Sequence, residues 1–145
     1  MRLFAGLIFL LLWCGVSYAQ IVTVNIRTAA IQSSPSPTEA YVVLEAPRNY
    51  PLAVLGQRDD FLEVRDFLGR QGWISSSAVA ADADGVVVAA ASMNVRQGPG
   101  TGYPVVFRAE QGVAFDVLEE KDNWLHVRHE GGQTGWLYKP LTWGQ

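Results

Sequence analysis

Residues Met93 to Phe107 read MNVRQGPGTGYPVVF. Gly98, Pro99, Gly100 and Gly102 stand there between two apolar, strand-like ends. A glycine-rich loop that cradles phosphate follows a parallel strand, opens a helix and usually carries a lysine. Here Tyr103-Pro104-Val105-Val106-Phe107 follows, which is strand-like, and the loop has no lysine. Glycine permits positive φ and proline fixes its own φ. The stretch therefore predicts a stiff structural turn that joins two strands.

The surrounding sequence occurs twice. VTVNIRTAAIQSSPS (Val22 to Ser36) aligns with VVVAAASMNVRQGPG (Val86 to Gly100) at an offset of 64. After a slip of one residue, YVVLEAPRNYPLAVLGQRDDFLEVR aligns with PVVFRAEQGVAFDVLEEKDNWLHVR at an offset of 63. Asp59 then meets Asp122, Phe61 meets Trp124, and Gly72-Trp73-Ile74 meets Gly135-Trp136-Leu137. Periodic self-similarity of this kind marks a repeated structural unit. A unit of about 60 residues buries only about 60% of its unfolded surface and is marginal alone. The two units are therefore expected to pack together, with the short polar stretch 80–85 as linker.

Within each unit the local patterns favour strands. LEVR, LHVR, VAFDV and PLAVL alternate or concentrate apolar residues at strand spacing. SSPSP, APRN, QRDD, GPGTG, EEKDN and EGGQTG interrupt them as turns. No window shows a helical period with caps. Short strands at close spacing predict a small antiparallel barrel or sandwich.

The chain has 11 basic and 14 acidic side chains. Residues 1–19 read as a secretory signal peptide: Arg2, an apolar run, then Ser17-Tyr18-Ala19. Cleavage there would remove Arg2 and the single cysteine, Cys14, leaving a protein with no disulfide. The acidic balance argues against a nucleic-acid partner, because phosphate neutralisation needs clustered Lys and Arg. No later segment is apolar for the roughly 20 residues a membrane helix needs. The expected location is periplasmic or extracellular.

The motif Met93-Asn94-Val95-Arg96-x-Gly98-Pro99-Gly100-x-x-Tyr103-Pro104-Val105-Val106 resembles the signature of the bacterial SH3-like family, SH3b. Asp122-Asn123-Trp124-Leu125-His126-Val127-Arg128 and Gly135-Trp136-Leu137 agree with it. The first unit departs from the pattern. It has Ala30-Ile31-Gln32 in place of Asn-Val-Arg, and SSPSP in place of the glycine loop, but keeps Gly72-Trp73. The resemblance implies an all-β chain of two tandem small SH3-like, partly open β-barrels, each of five or so strands. Residues 20–79 would be a degenerate domain, 80–85 the linker, and 86–145 the domain with the family motifs. It also implies a secreted, non-catalytic module of the kind that binds cell-wall peptide or peptidoglycan.

Strand parity locates a candidate surface. In WLHVR, Leu125 and Val127 share the core face, so Trp124, His126 and Arg128 share the other. In GWLY, Leu137 points inward and Trp136 and Tyr138 outward. In the first unit Leu62, Val64 and Ile74 point in, and Phe61 and Trp73 out. Asn94 and Arg96 flank the core residue Val95 and also face away. The candidate ligand-binding residues are Asn94, Arg96, Tyr103, Asp122, Asn123, Trp124, Trp136 and Tyr138, arranged around a groove between the QGPGTGY loop and the KDNW turn. Flat aromatic rings with polar rims suit sugar or peptide. The same rings could instead cover barrel ends or fill an interface between units, and Arg96 could pin the loop through carbonyls.

Catalysis finds little support. His126 and His129 are the only histidines, and three residues apart on a strand they face opposite ways. There is no HExxH motif, cysteine cluster or G-x-S-x-G elbow, and no motif calls for a cofactor or metal. Glu119-Glu120 and Asp59-Asp60 read as solvated turns rather than acid–base dyads. The leading reading is a wall-binding module. The alternative is a periplasmic protein–protein adaptor with no glycan ligand, and a small enzyme comes last.

Overall fold

A computed structural model of the chain describes residues 19–36 and 38–144. The signal-peptide reading of residues 1–19 falls, except for Ala19, outside the described residues. The first unit contains β1 (Ile21–Val24), β2 (Thr28–Gln32), β3 (Val42–Pro47), β4 (Pro51–Arg58), β5 (Phe61–Arg65), β6 (Gln71–Ser75) and β7 (Val79–Ala80). The second contains β8 (Gly85–Val88), β9 (Ser92–Arg96), β10 (Val105–Glu110), β11 (Ala114–Lys121), β12 (Trp124–Arg128), β13 (Thr134–Tyr138) and β14 (Thr142–Trp143). A single 3₁₀ turn, Ser76–Ala78 or Lys139–Leu141, precedes the last strand of each unit.

The repeat seen in the sequence is a repeat of topology. The first sheet runs β3-β2-β6-β5-β4-β1-β7 and the second β10-β9-β13-β12-β11-β8-β14. Every pairing is antiparallel. Seven strands per unit exceed the expected five or so, because a short strand at each end of the unit joins the ladder. The inward residues follow parity: Val95, Leu125, Val127 and Leu137 are fully buried in the second core, with Phe115 the largest side chain there.

Strand β8 breaks the one-face rule. Val86, Val87 and Val88 are all fully buried. Val86 and Val88 enter the second core, whereas Val87 and its cross-strand neighbour Ala114 join the core of the first unit. Trp143, paired with Val87, packs on the same cluster. The alternating side chains of one strand thus serve two cores.

The linker is fastened to this junction. Buried Thr23 donates its hydroxyl to the Ala83 carbonyl at 3.0 Å and accepts from the Gly85 amide at 3.3 Å. Gly85 lies so close to the other unit that a Cβ would overlap the Asn49 carbonyl oxygen. The Val117 amide donates to the Asp84 carbonyl at 2.8 Å. Stretch 80–85 is thereby bonded on both sides: Ala80 closes the first sheet and Gly85 opens the second.

Candidate functional site

The non-core face of the second unit is a set of cross-strand rows. Arg96 stands opposite Trp136, Trp136 opposite His126, and His126 opposite Glu119. Trp136 and His126 are stacked, with ring centroids 4.8 Å apart and planes inclined by 11°. Glu119 lies 3.8 Å from His126 Nδ1. In the neighbouring row Trp124 stands opposite Tyr138, with centroids 5.4 Å apart. Asn94 stands opposite Arg108 on β10.

Strands β9 and β13 pair at one position only, Trp136 with Arg96. Beyond it the sheet parts, and a cleft of about 310 Å³ opens between Asn94 and Tyr138. Trp124 and Tyr138 line one side, and Asn94, Arg96 and Arg108 the other. Ser92, Met93, Thr101 and Leu141 complete the lining.

Of the residues expected from the sequence, Asn94, Arg96, Trp124 and Tyr138 come together in this cleft. The other four have different placements. Tyr103 is half-exposed and lies over Gly98. Asp122 adopts φ 55°, a left-handed conformation that Asp tolerates in a tight turn, and links β11 to β12. The Asn123 carbonyl accepts from the Lys139 amide at 2.8 Å. Trp136 is spent on its stack with His126. From the glycine loop only Thr101 reaches the cleft, so the opening is set further from the loop than a groove between loop and turn.

Arg96 also has a structural task. Its Nη1 donates to the carbonyls of Thr101 at 3.2 Å and Tyr103 at 3.0 Å, which pins the glycine loop to β9. Arg108 was not among the expected residues. The core positions Phe107 and Ala109 flank it, so period-two alternation in VVFRAE was the signal that could have found it.

The histidines have separate jobs. His126 stacks on Trp136, and His129 Nδ1 accepts from the Gly131 amide at 3.1 Å within its own turn. Among the described residues no three His, Cys, Asp or Glu side chains gather as metal ligands.

The first unit holds the same opening in altered form. β2 and β6 pair only at Gln32 with Trp73. A cleft of about 340 Å³ follows, lined by Ala30, Gln32, Phe61 and Ser75, among others. These occupy the repeat positions of Asn94, Arg96, Trp124 and Tyr138. Glu45, opposite Ala30, occupies the position of Arg108. The first unit also contains a buried ionic network missed in the sequence. Asp66 accepts from the Tyr50 hydroxyl at 3.0 Å, from the Leu68 and Arg70 amides at 3.1 and 2.9 Å, and from Arg70 Nε at 2.8 Å. Burial, followed by the Asp66 charge, pushes the Tyr50 phenol well above its ordinary value. The bond to Asp66 raises Arg70.

Residues 89–144 match the family model described as Bacterial SH3 domain. A Bacillus subtilis protein named as an N-acetylmuramoyl-L-alanine amidase, YrvJ, is 34% identical over 62 residues, which is 43% of this chain and 12% of that protein. A Staphylococcus epidermidis protein named as a cell wall amidase, LytH, is 32% identical over 54 residues, 37% of this chain and 19% of that one. The chain thus spans less than a fifth of the length of either relative. Among solved structures, NlpC2 from Trichomonas vaginalis aligns over 89% of this chain and 50% of its own, at 14% identity and a TM-score of 0.41, a likeness too slight to carry any functional argument. On its sequence match, and with the antiparallel fold and motif residues described above, the segment 89–144 belongs to the bacterial SH3 domain family.

Proposed function

We propose that the chain is a non-catalytic binding module, acting at the cell envelope or outside the cell, that recognises cell-wall peptide or peptidoglycan through the cleft of its second unit. Residues 20–79 and 86–145 are the two domains, and residues 1–19 direct export. One observation carries the reading. The cleft holds an aromatic wall, Trp124 and Tyr138, facing polar and cationic side chains, and the repeat-equivalent cleft has lost most of them. Aromatic walls give large contact area at low entropy cost. The likeness of part of the chain to parts of proteins named as wall amidases supports the choice of ligand.

The test is a pull-down of the chain from Gln20 onward on purified peptidoglycan, with Trp124→Ala beside it. Saturable binding by the wild type, lost in a folded Trp124→Ala protein, is expected. Absence of wild-type binding would sink the proposal. It would favour the second reading, a protein–protein adaptor without a glycan ligand. The observation behind that reading is the exposed apolar edge of each sheet, Tyr41-Val42 in one unit and Val105-Val106 in the other. An exposed edge strand is a template for pairing with another chain.

A further inference from the structure

The charge in the second-unit cleft has a single sign. Arg96 and Arg108 line it, and no Asp or Glu does. This occurs in a chain with more acidic than basic residues. Four of the eight other cations among the described residues sit beside acids: Arg48 with Glu130, Arg70 with Asp66, Arg128 with Asp116, and Lys139 with Glu120. Arg27, Arg58, Arg65 and Lys121 stand apart along the chain, whereas the cleft brings two unpaired arginines together. Neither cleft arginine has a carboxylate within 4.0 Å among the described residues. Glu110, two positions along β10 from Arg108, makes no ion pair with it. Arg108 Nη2 donates to the Ser92 hydroxyl at 2.8 Å, a neutral acceptor that holds the side chain without spending its charge. Arg96 uses only Nη1 on the loop carbonyls, which leaves Nη2 and Nε. The first unit is an internal control: its equivalents are Gln32 and Glu45, so its cleft has no cation pair.

We propose that this cleft reads a free carboxylate on the wall peptide, with Arg108 as the recognising cation, Arg96 beside it, and Trp124 and Tyr138 packing the neighbouring apolar part of the ligand. This deepens the wall-binding reading and rests on it. Guanidinium matches a carboxylate in plane and makes charge-assisted hydrogen bonds. The cleft volume lies at the small end of ligand sites, roughly 300–1,000 Å³. It suits a short, carboxylate-bearing peptide fragment better than a run of sugars.

The test uses soluble muropeptides released from the peptidoglycan of the pull-down. They are titrated calorimetrically as prepared and after conversion of their carboxyl groups to primary amides. Amidation is expected to weaken binding to the wild type at least about tenfold. Arg108→Gln is expected to bind both forms equally and weakly, while circular dichroism and melting stay as in the wild type. Folding is expected to be unaffected because Arg108 is exposed.

Equal wild-type affinity for free and amidated muropeptides would overturn the carboxylate proposal and leave the wall-binding reading standing. So would displacement of muropeptide by inorganic phosphate but not by acetate at equal concentration, which would assign the cations to phosphate. Wild-type protein that binds neither muropeptides nor whole peptidoglycan would overturn both. Retained discrimination in Arg108→Gln would remove Arg108 from the proposal and overturn it as stated.

Discussion

The Tyr103 ring lies over Gly98 so closely that a Cβ built on that glycine would come within 2.5 Å of the ring. Gly98 is not in a left-handed conformation, so the constraint is contact rather than backbone strain. The glycine loop is thus a seat for one aromatic ring. Gly98→Ala should swing the half-exposed ring outward at a cost of about 1 kcal/mol, the low end for an overpacked contact. Urea unfolding would give the cost, and a shift of the Tyr103 ring resonances would report the displacement. Unchanged ring resonances would refute it.

Arg96 and Arg108 should separate in experiment, because only the first holds the loop. Arg96→Ala removes two hydrogen bonds to loop carbonyls. Amide hydrogen exchange across residues 97–103 should quicken, with a loss of about 1–2 kcal/mol. Arg108→Ala should leave exchange in that loop as it was. Equal effects would mean that Arg96 does not pin the loop.

The shared core predicts joint unfolding. Val87→Ala should cost about 2 kcal/mol, as expected for a buried aliphatic truncation. Val87→Asp should do more, burying a charge between the units. Wild-type protein should melt in one calorimetric transition, and Val87→Asp in two, or in one that is much lower. Two transitions in the wild type would contradict a common core.

The Asp66 network gives an alkaline signature. The Tyr50 phenol is held above its unfolded value of about 10, so above that pH the folded state keeps a proton that the unfolded chain has lost. Its stabilisation is fully present below about pH 10 and declines as pH rises further. Tyr50→Phe should flatten that decline while costing about 1 kcal/mol at neutral pH through the lost bond to Asp66. Identical alkaline slopes in the two proteins would count against this assignment.

The sequence carried the topology because each unit repeats the other and because strand parity is strict. Leu125, Val127 and Leu137 point inward for the reason read from WLHVR and GWLY. Parity could not say what lies beyond the outer face. It allowed Val87 to be solvent-facing, whereas the other unit covers it. Nothing in the local pattern singles out Asp66, whose burial depends on the Tyr50 hydroxyl from just before β4 as well as on the Leu68 and Arg70 groups of its own turn. The site was half legible for a similar reason. Asn94, Arg96, Trp124 and Tyr138 share a face, which alternation reveals. Asp122 and Asn123 are adjacent to Trp124 in sequence, but they build the turn between β11 and β12 and do not line the cleft. Arg108 comes from a strand across the sheet, and its place beside Asn94 depends on pairing that no local pattern specifies.

The dual service of β8 also bears on transplanting the second unit to another protein. The family match begins at Ala89, just past this strand. A graft cut there would lose the partner of both β11 and β14, along with two core valines, and would arrive with its ladder torn open. A graft begun at Gly85 would keep the barrel but carry a bare apolar face of Val87, Ala114 and Trp143, normally hidden by its twin. The portable piece of this chain is the pair.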